Sequence, residues 1–225
     1  MKNNFKVLAL LFISAFSLSS CSSDDSGESN GTTNGDYFPT AVNNKWQYTN
    51  GSDATEINLV GTANFDGTTY YEFTDTDAQV SIQEWIGKKG ATYFEKAATS
   101  TITQSGTTFT IQGYEIKMFR DDLAVGETWS GSAKPKITYS GGSTTAYIEY
   151  EGQITARDIS VTLGGITYNN VIKMQLNITE TVNGQVTTIS GENWFAKDIG
   201  LIYDSTTTSN DGVTRTRYLT SYTLN

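Results

Sequence analysis

From Tyr37 to the end of the chain, apolar and polar residues alternate with period two. Thr55 to Val60 sets Ile57 and Leu59 against Glu56 and Asn58. Thr144 to Ile154 sets Ala146, Ile148, Tyr150 and Gly152 against Tyr147, Glu149 and Glu151, and Val171 to Val182 lines up Ile172, Met174, Leu176 and Ile178. A period of two is that of a strand with one buried face, and the Thr, Tyr, Ile and Val that fill these stretches fit a pleated surface. Between them stand Asn50-Gly51, Asp66-Gly67, Gly141-Gly142, Gly164-Gly165, Asn183-Gly184 and Asp211-Gly212, pairs that supply the positive φ of tight hairpins. Glu115 to Leu123 comes closest to a helical period and reads as a strand followed by a loop. Nothing supplies the crossover helices of a parallel sheet. The pattern therefore predicts an all-β domain of roughly a dozen antiparallel strands, a meander curved into a barrel or half-barrel, with a two-sheet sandwich as the alternative.

The pattern also repeats. Ala41-Val42-x-x-x-Trp46 returns as Ala124-Val125-x-x-x-Trp129, and Gly67-x-Thr69-Tyr70 returns as Gly165-x-Thr167-Tyr168. Trp85-x-x-Lys88 with Gly90 and Tyr93 returns as Trp194-x-x-Lys197 with Gly200 and Tyr203. The order is kept while the offset grows from 83 to 98 to 109 residues, as insertions in a second copy would produce. Two duplicated halves, 37–120 and 121–225, are the expectation. The four tryptophans are expected in the core, where each ring buries about 150–250 Å².

The first twenty residues break the alternation. Lys2 and Lys6 precede an apolar run from Val7 to Leu18, and Leu18-Ser19-Ser20-Cys21 follows. This is a secretory signal, 1–20, too short to span a bilayer. Its end resembles the bacterial lipobox, which implies diacylglycerylation of Cys21, the chain's single cysteine, and a membrane anchor through that residue. Residues 21–36 are Ser, Asp, Gly, Asn and Thr-rich without an apolar side chain beyond Cys21. They form an expected flexible acidic tether with a span of about 20 Å, carrying the all-β domain of 37–225. Its opening Ser-Asp-Asp resembles the export signal of lipoproteins flipped to the outer leaflet. The expected address is the outer membrane, lipid-anchored and facing the medium, with a periplasm-facing domain as the alternative.

Three aromatic motifs carry a wider resemblance. Tyr37-Phe38-Pro39-x-x-x-x-Asn44-x-Trp46-x-Tyr48, Val125-Gly126-x-Thr128-Trp129 and Trp194-Phe195-Ala196-Lys197-x-x-Gly200-Leu201-Ile202 resemble the uncharacterised Bacteroidota-type surface lipoproteins. The sequence departs from that pattern at Thr40, Asn43 and Asp198-Ile199. The resemblance implies fold and address; it implies no activity and no functional residue.

Composition narrows the chemistry. The chain has 15 basic and 24 acidic residues, and loss of Lys2 and Lys6 with the signal takes the net charge from −9 to −11. Such a chain without a basic cluster is unsuited to nucleic acid. The absence of histidine removes the commonest general base and most catalytic zinc sites. Carboxylate chemistry survives. Glu149 and Glu151 share a strand face about 7 Å apart, within the range of glycosidase pairs, although a solvated strand face explains them as well. Asp75 with Asp77, and Asp121 with Asp122, stand where turns are expected and could offer oxygens to calcium or merely cap backbone groups. Tyr70, Tyr71 and Phe73 with Tyr93 and Phe94, or Tyr147, Tyr150 and Tyr168, could stack on sugar rings or simply pack. The expectation is a non-enzymatic module without cofactor that binds a glycan, lipid or protein. A carboxylate-dependent glycoside hydrolase and a structural accessory of an envelope complex are the alternatives.

Overall fold

The computed structural model describes residues 32–33, 35–76 and 82–225. The signal, Cys21 and most of the tether lie outside the described residues. The first run of strands is β1 (Lys45–Thr49), β2 (Ala54–Phe65), β3 (Thr68–Asp75), β4 (Glu84–Lys89) and β5 (Thr92–Ala97). The small hairpin β6 (Ser100–Gln104) and β7 (Thr107–Ile111) follows, then β8 (Tyr114–Arg120). The second run is β9 (Thr128–Ala133), β10 (Lys136–Tyr139), β11 (Gly142–Leu163), β12 (Ile166–Val182), β13 (Gln185–Ala196), β14 (Gly200–Thr208) and β15 (Thr214–Thr223). Every pairing is antiparallel, and all fifteen strands belong to one sheet ordered β6-β7-β10-β11-β12-β13-β14-β15-β1-β2-β3-β4-β5-β8, with β9 also on β11.

The alternation read from the sequence sets which face turns inward. Ala146, Ile148, Tyr150 and Ile154 of β11 and Ile172, Met174, Leu176 and Ile178 of β12 are buried, while Tyr147, Glu149, Glu151 and Gln175 between them are exposed. Inward side chains of both runs meet in one core, so the sheet curls into a barrel. Its apolar side faces in and its polar side out, the inverse of a transmembrane barrel.

The main-chain ladder does not close. β8 and β9 meet at a seam where side chains take over. The Trp129 Nε1–H donates to the Lys117 carbonyl at 3.0 Å, and the Lys117 N–H donates to the Tyr150 hydroxyl at 3.1 Å. Both rings lie across the neighbouring strand because glycine stands opposite each, Gly152 facing Trp129 and Gly131 facing Tyr150. A Cβ on Gly152 would sit 2.2 Å from the indole.

A meander alternates its turns between two ends. One end is closed by aromatic rings. Phe119 stacks on Phe195 at 4.7 Å and on Tyr93 at 5.3 Å, and Phe38 packs on Trp46 at 4.9 Å. The incoming chain docks here. The Thr33 hydroxyl donates to Asp121 at 2.8 Å, Lys88 donates to the Gly35 carbonyl at 2.7 Å, and the Asp198 N–H donates to the Asp36 carbonyl at 2.5 Å. The domain's hold on the chain thus reaches back to Thr33, ahead of Tyr37.

Two expectations about aromatics need correction. Trp46 and Trp129 are core residues, but Trp85 is buried in a separate cluster with Tyr70 and Phe94. That cluster takes the sheet's other face, where the Lys89 and Lys96 ammonium groups cover Tyr70 and Phe94. Trp194 is only half-buried, on the outer face. On β13 the inward positions are Ile189, Gly191, Asn193 and Phe195, in register with Ile178, Leu176, Met174 and Ile172 of β12, so Trp194 falls on the outer face.

The three matched fragments fall on corresponding elements. Trp46 and Trp129 stand on β1 and β9, the Gly-x-Thr-Tyr pairs open β3 and β12, and Trp85 and Trp194 stand on β4 and β13. Setting aside β6, β7 and β10, each run contributes six strands to the wall, β1–β5 with β8, and β9 with β11–β15.

Candidate functional site

The other end of the barrel is polar inside. Asp204 of β14 and Arg217 of β15 are register partners, both on the inward face. The guanidinium spans the lumen to Asp75 at the end of β3. Its Nε donates to Asp204 at 2.6 Å, and Nη1 and Nη2 donate to the two Asp75 oxygens at 3.0 and 2.8 Å. The carboxylate fork is met in bidentate fashion, the strongest arrangement for such a pair. The Arg217 guanidinium also lies 4.8 Å from the Tyr48 ring centre, and the Tyr48 hydroxyl donates to the Leu201 carbonyl at 3.0 Å. Burial alone would lower the Arg217 pKa, but the charges of Asp204 and Asp75 outweigh it and push it up, so the guanidinium stays charged. Burying a charge is tolerable only when it is paired and hydrogen-bonded in this way.

Above this triad the rim is notched. β1 ends at Thr49, opposite Tyr218, and the chain turns back through residues 50–53 into β2. The β14–β15 hairpin rises higher, so Thr214 to Arg217 pair with β14 on one side and with no described strand on the other. The notch is a cavity of about 520 Å³ lined by Asn50, Ser52, Asp53, Thr55, Asp204 and residues 214–217, all of them polar. Its volume is within the range of small-ligand sites, about 300–1,000 Å³. Arg215 forms one wall and is held by Asp211 at 2.7 Å.

A second polar group is buried inside the barrel. Glu84, Glu95 and Glu180 are buried, from β4, β5 and β12. Neither oxygen of Glu180, nor Oε2 of Glu95, has a hydrogen-bond partner. Burial pushes the Glu180 pKa up to about 8. It also pushes Glu95 well up, and the neighbouring charge of Glu84 adds to this. Tyr114 stands among the three and is shifted upward by burial and by their charges.

The carboxylates singled out by spacing fall elsewhere. Glu149 and Glu151 are both exposed on the outer wall and form no enclosed acid–base pair. Asp121 is paired with Lys88 at 3.0 Å and Asp122 with Arg120 at 2.6 Å, so this turn pair is tied into the fold. Asp75 is held by Arg217, and Asp77 lies outside the described residues. Among the described residues no group of three or more carboxylates, histidines or cysteines is placed to hold a metal ion. Cys21 is likewise outside them.

The aromatics proposed to stack on sugar are not arranged to do so. Tyr70, Phe73, Tyr93, Phe94, Tyr150 and Tyr168 are buried, Tyr71 is half-buried, and Tyr147 stands alone at 51% exposure. Their phase on each strand sends most of them into the barrel core or the outer cluster. The outer wall instead carries a ladder in which Trp194 is covered on one side by Lys173 at 3.3 Å and stacked against Tyr203 at 4.3 Å. The indole's faces are already occupied, so the ladder is packing.

Sequence reading missed Glu180, Arg217 and the notch. The signal for Glu180 was present: it continues the inward phase of Ile172, Met174, Leu176 and Ile178. Arg217 likewise shares the inward phase of Leu219. The notch comes from unequal hairpin heights and has no local signature.

No family model and no curated protein matches this sequence. Among solved structures the chain resembles a Parabacteroides distasonis protein, described provisionally as a lipoprotein. The two are 13% identical with a TM-score of 0.53, over 84% of this chain and 99% of that one. A Bacteroides fragilis protein, described provisionally as exported and as having a YmcC-like fold, aligns over 84% of this chain and 100% of its own. The identity there is 11% and the TM-score 0.44. At 13% identity the first likeness speaks to fold alone, and in fold this chain matches the Parabacteroides protein across nearly its whole length.

Proposed function

We propose that the chain is a non-enzymatic binding module, anchored in the outer membrane through acylated Cys21, which presents the polar rim notch to a ligand outside. The observation that carries this reading is the placement of the two ends. The incoming chain docks at the aromatic end through Thr33, Gly35 and Asp36, whereas the notch lies at the opposite rim. An anchor at Cys21 therefore leaves the notch directed away from the bilayer. Its wholly polar lining favours a polar ligand over an acyl chain, because an apolar group there would strip water from the exposed Asp53 and Arg215 and gain no apolar contact in return. A domain facing the medium at the cell surface follows if the Ser-Asp-Asp signal acts as its resemblance implies. The two halves fit a duplication of one six-stranded unit, with β6, β7 and β10 as insertions.

The test has two arms. Cells fed labelled palmitate should label the wild-type chain and leave Cys21→Ala unlabelled and released from the membrane fraction. The mature chain carrying Cys21→Ser should be retained by polar ligands on combined glycan and peptide arrays, and Ser52→Trp, which fills the notch, should reduce that retention. Retention by acyl-chain overlays alone would overturn the assignment of the notch.

A further inference from the structure

The notch is bounded by bare strand edge, and we propose that it takes an extended peptide segment with a basic side chain, added to β15 as a strand in line with β1. This rests on the reading of the notch as the ligand site and names its occupant. Thr214 to Arg217 are ladder-paired to β14 alone. Alternate residues of such an edge direct their N–H and C=O groups sideways, here across the cavity toward residues 50–53. A ligand that answers a row of alternating donors and acceptors is another extended main chain. Four residues span about 13 Å at roughly 3.3 Å each, so the segment that fits is three or four residues long.

Charge selects its side chain. The inward positions of the bare edge are Arg215 and Arg217. Arg215 is paired with Asp211, and Arg217 with Asp75 and Asp204. With Asp53 on the facing turn, four carboxylates stand around two guanidiniums, a surplus of two negative charges. An inward-pointing Lys or Arg on the added strand meets that surplus, and an acidic side chain is repelled by it. A carbohydrate would satisfy the polar lining but has no periodic row of donors and acceptors to match the edge.

The probe is acetyl-Thr-Lys-Thr-Lys-Thr-amide, titrated into the isotope-labelled mature chain bearing Cys21→Ser and followed by amide chemical shifts. Saturable shifts centred on Thr214 to Arg217 are expected. N-methylation of the peptide should abolish them at every second residue only, and Glu in place of both Lys should weaken binding at least tenfold. Ser52→Trp fills the notch from an exposed turn position outside the ladder and should remove the shifts while leaving the rest of the spectrum unchanged. Shifts that survive Ser52→Trp, or that ignore the N-methyl position, would overturn the proposal. If no peptide binds but a glycan does, and Ser52→Trp removes it, the peptide is wrong and the notch stands as the ligand site. If neither binds, both readings fall.

Discussion

At the scale of single residues, the unusual feature is Glu180, an inward carboxyl with no hydrogen-bond partner. Its native pKa of about 8 lies above the ordinary value of 4.5, which fixes the sign of its effect on stability. Below pH 4.5 the group is protonated in both states and contributes nothing. Between 4.5 and 8 the unfolded chain gives up the proton that the native state keeps. Stability therefore falls as pH rises, by roughly 1.4 kcal/mol per unit. Above pH 8 the deficit is constant. Glu180→Gln, which imitates the protonated acid, should raise the melting temperature at pH 8, leave it unchanged near pH 4, and flatten the profile between. Glu95 is shifted in the same direction, so a reduced slope will remain. An equal gain at pH 4 and pH 8 would show that titration is not the cause.

At the scale of elements, the seam between β8 and β9 is held by side chains in place of a ladder. Gly152 is required there for lack of a Cβ, since any other residue drives one into the Trp129 ring. Gly152→Ala should destabilise the fold by about 1–3 kcal/mol, as overpacking does, and should speed hydrogen exchange at the Lys117 amide more than at amides of β12 or β13. Uniform acceleration across the sheet would argue against a local seam. The strands around the seam were legible in the sequence, because alternation marks them whatever their neighbours. Their meeting was not. Period two says which face of β8 or β9 is buried, but it is silent about which distant edge each strand approaches.

At the scale of the molecule, the docking of the incoming chain orients everything else. A chain beginning at Tyr37 loses the bonds of Thr33, Gly35 and Asp36 to Asp121, Lys88 and Asp198. Compared with one beginning at Gly31, it should be less stable in urea by about 1.5–4 kcal/mol, from three hydrogen bonds at roughly 0.5–1.5 kcal/mol each. Equal midpoints would show that this docking contributes nothing to stability. Composition had described residues 21–36 as a polar linker throughout, and it could not reveal that the last few are claimed by Lys88 of β4, the Asp121 carboxylate after β8 and the Asp198 N–H between β13 and β14.

The sequence by itself determined the fold class, the inward face of each long strand and the turns between them. Each of these rests on local order: side-chain period and turn chemistry. Tertiary structure alone decided the rest. It brought Asp75 to Arg217 across 142 residues, placed Glu180 beside Tyr114 in the lumen, and made hairpins of unequal height into a notch. Curling a sheet joins residues that are remote along the chain, and such contacts leave no periodic trace in the order of amino acids.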